Sequence, residues 1–173
     1  CGYGLVPNTE LAQALGMALT AEKAIDVDTW QGSSLPDHYA AGECTGIGSC
    51  EKALAQGAIA GYAATGQNQQ AQALWQELAR WEAFADHVRQ HLQADVRAVK
   101  NLLRPDTVVC RCEDVRVVEL ARCSSWIDAK LHTRCGMGPC QGRVCGAATQ
   151  FLFGWTPAPA RHLLAPARVA TLA

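Results

Sequence analysis

Two segments decide the reading: Thr107-Val108-Val109-Cys110-Arg111-Cys112-Glu113-Asp114-Val115 and Thr133-Arg134-Cys135-Gly136-Met137-Gly138-Pro139-Cys140-Gln141-Gly142-Arg143-Val144-Cys145. Five of the nine cysteines fall here, as C-x-C and as C-x4-C-x4-C. Thiolates bind soft metals, and an iron–sulfur cluster needs four of them converging from loops whose backbone amides reach the sulfurs. Gly136, Gly138, Gly142 and Gly146 give the chain the freedom to curl that tightly. Arg111, Arg116, Arg122, Arg134 and Arg143 supply charge of the right sign, and a helix beginning near Gln141 would aim its positive end at an anionic cluster. A closed zinc site uses the same four-thiolate inventory, but its knuckles are usually C-x2-4-C on both sides, which this spacing fits poorly. The odd count argues against a fully paired disulfide framework. Cys1, Cys44, Cys50 and Cys123 stand outside the clusters and read as plain buried thiols.

Around these loops the second half is helical. Asp114 is placed to cap a helix over 115–122, a second helix is expected over 125–133, and the one from Gln141 ends at Gly154. The chain after Trp155 carries Pro157, Pro159 and Pro166 and reads as a surface arm. Upstream, Gln70 to about Arg97 has Leu74, Leu78, Trp81, Ala85, Val88 and Leu92 at three- and four-residue steps, the mark of one long amphipathic helix. Residues 66–70 are a polar break. From Glu51 to Ala64, Leu54, Ala58, Ile59 and Tyr62 mark a helix whose Gly57 and Gly61 permit close approach to a neighbour. Ahead of it come a glycine-rich turn, a short strand at His38–Gly42, turn chemistry at 32–37 and an alternating strand at Ile25–Asp28. A first helix after Asn8 carries Leu11, Ala14, Leu15, Ala18 and Leu19 on one face. The opening Gly2-Tyr3-Gly4 reads as the turn that ends a strand, and an upstream portion is expected.

Of the 173 residues 49% are hydrophobic, enough for a real core, and 18% are charged with a formal net charge of -1. Residues 1–100 carry a net -5 and residues 101–173 a net +4, which sets a boundary near residue 103. Bulk charge therefore selects neither a nucleic acid nor an acidic tail. No secretory signal opens the chain, and charges interrupt every stretch that could reach the ~20 residues of a membrane span. The expected setting is cytoplasmic, or peripheral at the inner membrane.

The string Cys110-Arg111-Cys112-Glu113-Asp114-Val115 with Thr133 to Cys145 resembles the bacterioferritin-associated-ferredoxin type of [2Fe-2S] module fused to flavoprotein subunits. Gly2 to Leu11, and Ala40-Ala41-Gly42-Glu43-Cys44-Thr45-Gly46-Ile47-Gly48 with Glu51-Lys52-Ala53-Leu54, resemble the end of the FAD-binding domain in those subunits. The family so indicated is the alpha subunits of flavin-dependent amino-acid dehydrogenases, of the opine oxidase, hydroxyproline or proline dehydrogenase and hydrogen cyanide synthase type. The resemblance implies an α+β chain: the C-terminal segment of an FAD-binding α/β domain (1–66), a helical linker (67–103), a small, mostly helical [2Fe-2S] domain (104–155) and a tail (156–173).

It further implies cluster ligands at Cys110, Cys112, Cys140 and Cys145, with Cys135 as a rival that could replace Cys145 or stand as a spare thiol. For FAD it implies Glu43 on the ribityl chain and the backbone amides of Gly46, Ile47 and Gly48 at the isoalloxazine edge, with the 51–64 helix dipole favouring the reduced flavin. Taken without the resemblance this loop is only a glycine-rich turn, and the dinucleotide fingerprint is absent from the chain. The implied role is electron transfer from flavin to the cluster, with a beta subunit oxidising the amine at its own flavin and an acceptor such as quinone beyond. A non-redox, zinc-stabilised docking domain, and the related modules of nitrite reductase and glycerol-3-phosphate dehydrogenase, remain as other readings. His87 and His91 read as solvent-exposed, and Trp75 and Trp81 as core-facing.

Overall fold

A computed structural model describes residues 5–92 and 95–157, which fall into two compact units on either side of the gap. The opening Gly2–Gly4 turn, Cys1 and the tail from 158 lie outside the described residues.

In the first unit, α1 (Glu10–Leu15) is shorter than the sequence pattern suggests, because Gly16 takes a left-handed conformation at its C-terminus, φ 79. Ala12 and Thr9 are its buried residues, whereas Leu11 and Leu15, expected on the packed face, are exposed. The expected strands at 25–28 and 38–42 are reduced to single bridges, Leu19 to Ile25, Val27 to Ser33 and Gly32 to Tyr39. Local side-chain bonding competes with any longer ladder: Asp28 Oδ1 accepts from the N–H groups of Trp30 and Gly32, both at 2.8 Å.

A 3-10 turn at Glu43–Thr45 leads to α2 (Cys50–Ala64), whose N-cap Ser49 accepts from the Lys52 N–H at 3.2 Å. The single long helix expected over 70–97 is divided. It begins earlier, as α3 (Asn68–Ala73), breaks at Leu74 and continues as α4 (Trp75–Leu92). The expected inward stripe holds on α4, where Leu78 and Ala85 are buried and Trp81 and Val88 half-buried. Ala55, Ile59, Ala71 and Leu78 form the core, with Trp30, Leu74 and Trp75 packed on it. The Ile59 side chain alone is worth about 2–3 kcal/mol of burial.

The second unit opens with α5 (Val96–Leu102), capped by Asp95, and turns into a hairpin of β1 (Val108–Cys110) and β2 (Val115–Arg116), antiparallel with a bulge. Asp114 is not a helix cap. It sits in the left-handed region at φ 53 inside the hairpin turn, and Arg116 caps the following helix, its N–H donating to Glu119 Oε2 at 2.9 Å. Then come α6 (Val117–Leu120), α7 (Trp126–Thr133) and α8 (Cys145–Phe153). The last helix starts four residues beyond Gln141, because Gln141 and Gly142 both have positive φ, 51 and 82, which no α-helix accepts. The core of this unit is Val109, Cys110, Val115, Leu120, Trp126, Ala129, Cys135, Cys145 and Leu152. Three cysteines are thus part of the hydrophobic core itself.

Candidate functional site

The hairpin fixes the first two thiols. Cys110 ends β1 in the core, 1% exposed and next to the buried Val109, while Cys112 stands exposed in the turn. The other three come from the curl between α7 and α8. Arg134 ends α7 in a left-handed conformation at φ 63, Cys135 follows fully buried, and Cys145 is the first residue of α8, 1% exposed. The sulfurs of Cys110, Cys135 and Cys145 lie within 4.8 Å of one another. The Cys112 and Cys140 thiols are neighbours, and the Cys145 thiol lies next to those of Cys135 and Cys110. The five thiols of the two segments thus form a buried triad, Cys110, Cys135 and Cys145, and a neighbouring pair, Cys112 and Cys140. Of the four expected ligands the structure brings Cys110 and Cys145 together, with Cys135 rather than Cys112 or Cys140 as the third sulfur within 4.8 Å.

Close packing of glycine on an aromatic ring makes the curl possible. A Cβ on Gly136, whose φ is 82, would come within 2.6 Å of two ring carbons of Trp126, and one on Gly142 within 3.2 Å of the same ring. Trp126, 5% exposed, is thus the floor on which both halves of the curl rest. Gly138 serves a different contact: a Cβ there would collide with Cys112 Cβ, so its missing side chain lets the curl approach the hairpin turn. An ion pair from Arg134 Nε to Glu113 Oε2, 2.9 Å, ties the same two loops at the surface. Glu113 is occupied in this way.

The thiols are not equivalent. The Val144 N–H, with further help from the Cys112 thiol and the Gly142 and Arg143 amides, holds the Cys140 thiol below the ordinary cysteine range. Cys145 is pushed far up, first by its hydrogen bond to Cys135 and then by burial. At Cys112 the Cys140 N–H favours the thiolate, but the bond to the Cys140 side chain, burial and neighbouring charge outweigh it. A soft cation resolves this competition by letting every sulfur ionise. Three buried sulfurs within 4.8 Å of one another, with the Cys112 and Cys140 pair beside them and amides aimed at Cys140, are a donor set that suits an iron–sulfur cluster or a thiolate-bound metal ion.

The expected flavin residues Glu43, Gly46, Ile47 and Gly48 lie in one loop at the N-terminus of α2, with Glu43 exposed and 46–48 half-buried. Two residues that the sequence did not single out hold this loop. Gln56 Oε1, 2% exposed, accepts from the Gly42 N–H at 2.9 Å and the Thr45 hydroxyl at 3.0 Å. Lys52 Nζ donates to the Gly46 carbonyl at 2.9 Å, and its stem fills the space beside Gly48. Burial lowers the Lys52 pKa, with Glu82 and Asp86 pulling in the opposite direction. The only prior signal for the pair was two polar residues at i, i+4 directly after a glycine-rich turn. Two grooves of this unit, one lined by Gln31, Trp75 and Glu82 and the other by Trp30, Ser33 and His38, contain none of the four expected flavin residues.

Among the remaining expectations, His87 and His91 are exposed, with His91 Nδ1 2.8 Å from the His87 carbonyl. Trp75 packs edge-on against Trp30, ring centroids 4.8 Å apart. Cys44 and Cys123 are half-buried with their thiols on the carbonyls of Ala41 and Glu119, but Cys50 is exposed at the start of α2 rather than buried.

A model of the pyridine nucleotide-disulphide oxidoreductase family matches residues 1–57, a stretch that includes the loop before α2. More narrowly, the chain is 37% identical over 166 residues to the HcnB subunit of hydrogen cyanide synthase from Pseudomonas aeruginosa, a match covering 83% of this chain and 35% of that protein. It is 31% identical over 162 residues to the HcnB subunit of Pseudomonas protegens, with 83% and 34% covered. An opine oxidase subunit of Rhizobium meliloti strain 1021 is 32% identical over 162 residues, again with 83% and 34% covered. These relatives and the family match together fit a subunit of a flavin-dependent dehydrogenase. It spans about a third of the length of the curated relatives it matches. No solved structure matches it.

Proposed function

We propose that the chain is the electron-transfer part of a flavin-dependent amino-acid or opine dehydrogenase, passing electrons from FAD to a [2Fe-2S] cluster held by Cys110, Cys112, Cys140 and Cys145. The observation that carries this is the convergence of thiols from the hairpin and the α7–α8 curl on one site floored by Trp126. Bound there, a cluster takes and gives one electron at a time, the conversion a two-electron flavin needs to feed a one-electron acceptor. The chain's own contribution is to hold the sulfurs. Cys110 and Cys145 are shielded from water in the core, Cys112 stands at the surface, and amides of residues 142–144 stabilise the Cys140 thiolate. In the first unit, Glu43 would accept from a ribityl hydroxyl and the Gly46–Gly48 backbone amides would serve the flavin ring, in a loop held by Gln56 and Lys52.

Substrate oxidation falls to a partner beta subunit with its own flavin, and a quinone is the class of acceptor. The relatives are themselves named as subunits. Among the described residues no helix is long and apolar enough to cross a membrane; the proposed setting is cytoplasmic, or peripheral at the inner membrane. Anaerobically purified protein should be brown, absorb between roughly 400 and 550 nm, contain iron and acid-labile sulfide and give an EPR signal when reduced. Colourless protein with one tightly bound zinc would replace this reading with that of a metal-stabilised docking domain.

A further inference from the structure

Four sulfurs satisfy a [2Fe-2S] cluster, yet this site has five. Cys112 and Cys140 pair with each other near the surface, and three thiols remain at the buried side: Cys110, Cys135 and Cys145, 1%, 0% and 1% exposed and mutually within 4.8 Å. Cys110 comes from the hairpin, so the choice within the curl is between Cys135 and Cys145. The two stand in symmetrical relation to Cys140, each separated from it by four residues, one before and one after. Each adjoins a turn whose glycine, Gly136 or Gly142, rests on the Trp126 ring. The Cys135 N–H is held by Thr133 Oγ1 at 3.3 Å, and Cys145 is held by the first turn of α8. Neither sulfur has to be carried into place by a rearrangement of the backbone.

We infer that Cys135 is an interchangeable ligand for the position assigned above to Cys145, so that the cluster survives the loss of either sulfur but not of both. The inference rests on the cluster reading. The exchange replaces one iron–sulfur bond to Cys145 by one to Cys135. The proton of the Cys135 thiol passes to the departing Cys145 thiolate, and no electron moves. A cysteine that is only a small core residue would not rescue metal binding, because packing supplies no donor.

The test is anaerobic reconstitution of the full chain with ferrous iron and sulfide. It compares wild type, Cys135→Ala, Cys145→Ala and the double variant, reading iron and labile sulfide per chain and the EPR spectrum. Both single variants should hold about two irons and two sulfides, as in the wild type, with an EPR signal shifted in Cys145→Ala. The double variant should hold less than about a tenth of that. If Cys145→Ala is as empty as the double variant while its circular dichroism matches the wild type, Cys135 does not ligate and the inference falls. It also falls if Cys135→Ala is empty and Cys145→Ala full. The corresponding serine variants, nearly the same size as cysteine, repeat the comparison if an alanine variant misfolds. Failure of the cluster reading is distinguishable, since it shows in the wild type as zinc without labile sulfide and removes this inference with it.

Discussion

Gly136→Ala is the sharpest test of how the cysteine curl is built. The residue has φ 82, and left-handed backbone costs a residue with a Cβ about 1–2 kcal/mol. The new methyl would lie 2.6 Å from Cη2 and Cζ2 of Trp126, roughly 1 Å inside carbon–carbon contact. Trp126 is 5% exposed and hemmed in by the core, so the ring has little room to retreat. Overpacking of this kind adds about 1–3 kcal/mol. The second unit should lose about 2–5 kcal/mol in all. Gly154→Ala supplies the control, because Gly154 has φ 72 but nothing within 4 Å of its Cβ position, and should cost only the backbone part, about 1–2 kcal/mol.

Hydrogen exchange of α7 and α8 amides, followed by mass spectrometry on the apo chain, reads this unit separately from the other. At about tenfold per 1.4 kcal/mol, the slowest amides should exchange about 30- to 4,000-fold faster in Gly136→Ala, limited by the stability of the unit. If Gly136→Ala exchanges no faster than Gly154→Ala, Trp126 is not the floor of the curl.

Gly138→Ala should leave α7 and α8 amide protection within about 1 kcal/mol of wild type, since its backbone is ordinary and Cys112 lies in an exposed turn; it should nevertheless weaken iron or zinc uptake at least tenfold in a metal titration by pushing Cys112 away from Cys140. Gln56→Leu removes the acceptor shared by the Gly42 N–H and the Thr45 hydroxyl and should cost the first unit about 1–3 kcal/mol in urea unfolding, with the loss concentrated in exchange of the 42–48 amides. Asp128 is held below the usual carboxylate range first by the Ser124 N–H, then by the Ser124 hydroxyl and His132. Because its folded pKa is depressed, its stabilisation is complete above the ordinary aspartate value near 3.8 and lost as pH falls through the folded value. Asp128→Asn should therefore destabilise the second unit at pH 7, with the gap to wild type closing below about pH 4 in paired urea titrations.

What the sequence displays well is repetition. α4 was legible from Leu78, Trp81, Ala85 and Val88, because each residue there meets neighbours three or four positions away. α2 shows where that signal fails. Its spacing points Leu54, Ile59 and Tyr62 inward, yet Leu54 is 68% exposed, and beside the expected Ile59 the helix buries Lys52, Ala55 and Gln56. The reason lies outside the helix: the carbonyl of Gly46 and the N–H of Gly42 belong to a loop with no ladder of its own and need partners. A buried lysine and glutamine provide them, and the rotation that brings them in carries Leu54 out.

The cysteine site divides in the same way. Its chemistry was legible because ligand chemistry resides in residue type, and five thiols in two short segments is a compositional fact. Its geometry was not, because the residue that shapes it has no spacing signature. Trp126 touches glycines ten and sixteen positions downstream, and only the absence of two Cβ atoms records the contact. The same contact moved the start of α8 from Gln141 to Cys145: a curl that rests two glycines on one ring must pass through positive φ at Gln141 and Gly142, and the helix cannot begin until it is complete. That delay puts Cys145 at the first turn of α8, beside Cys110 and Cys135, rather than four residues into a helix. The Trp126 floor is therefore what assembles the inner thiols, and the fifth sulfur follows from it, since a curl closed on a single ring brings both of its ends to the same place.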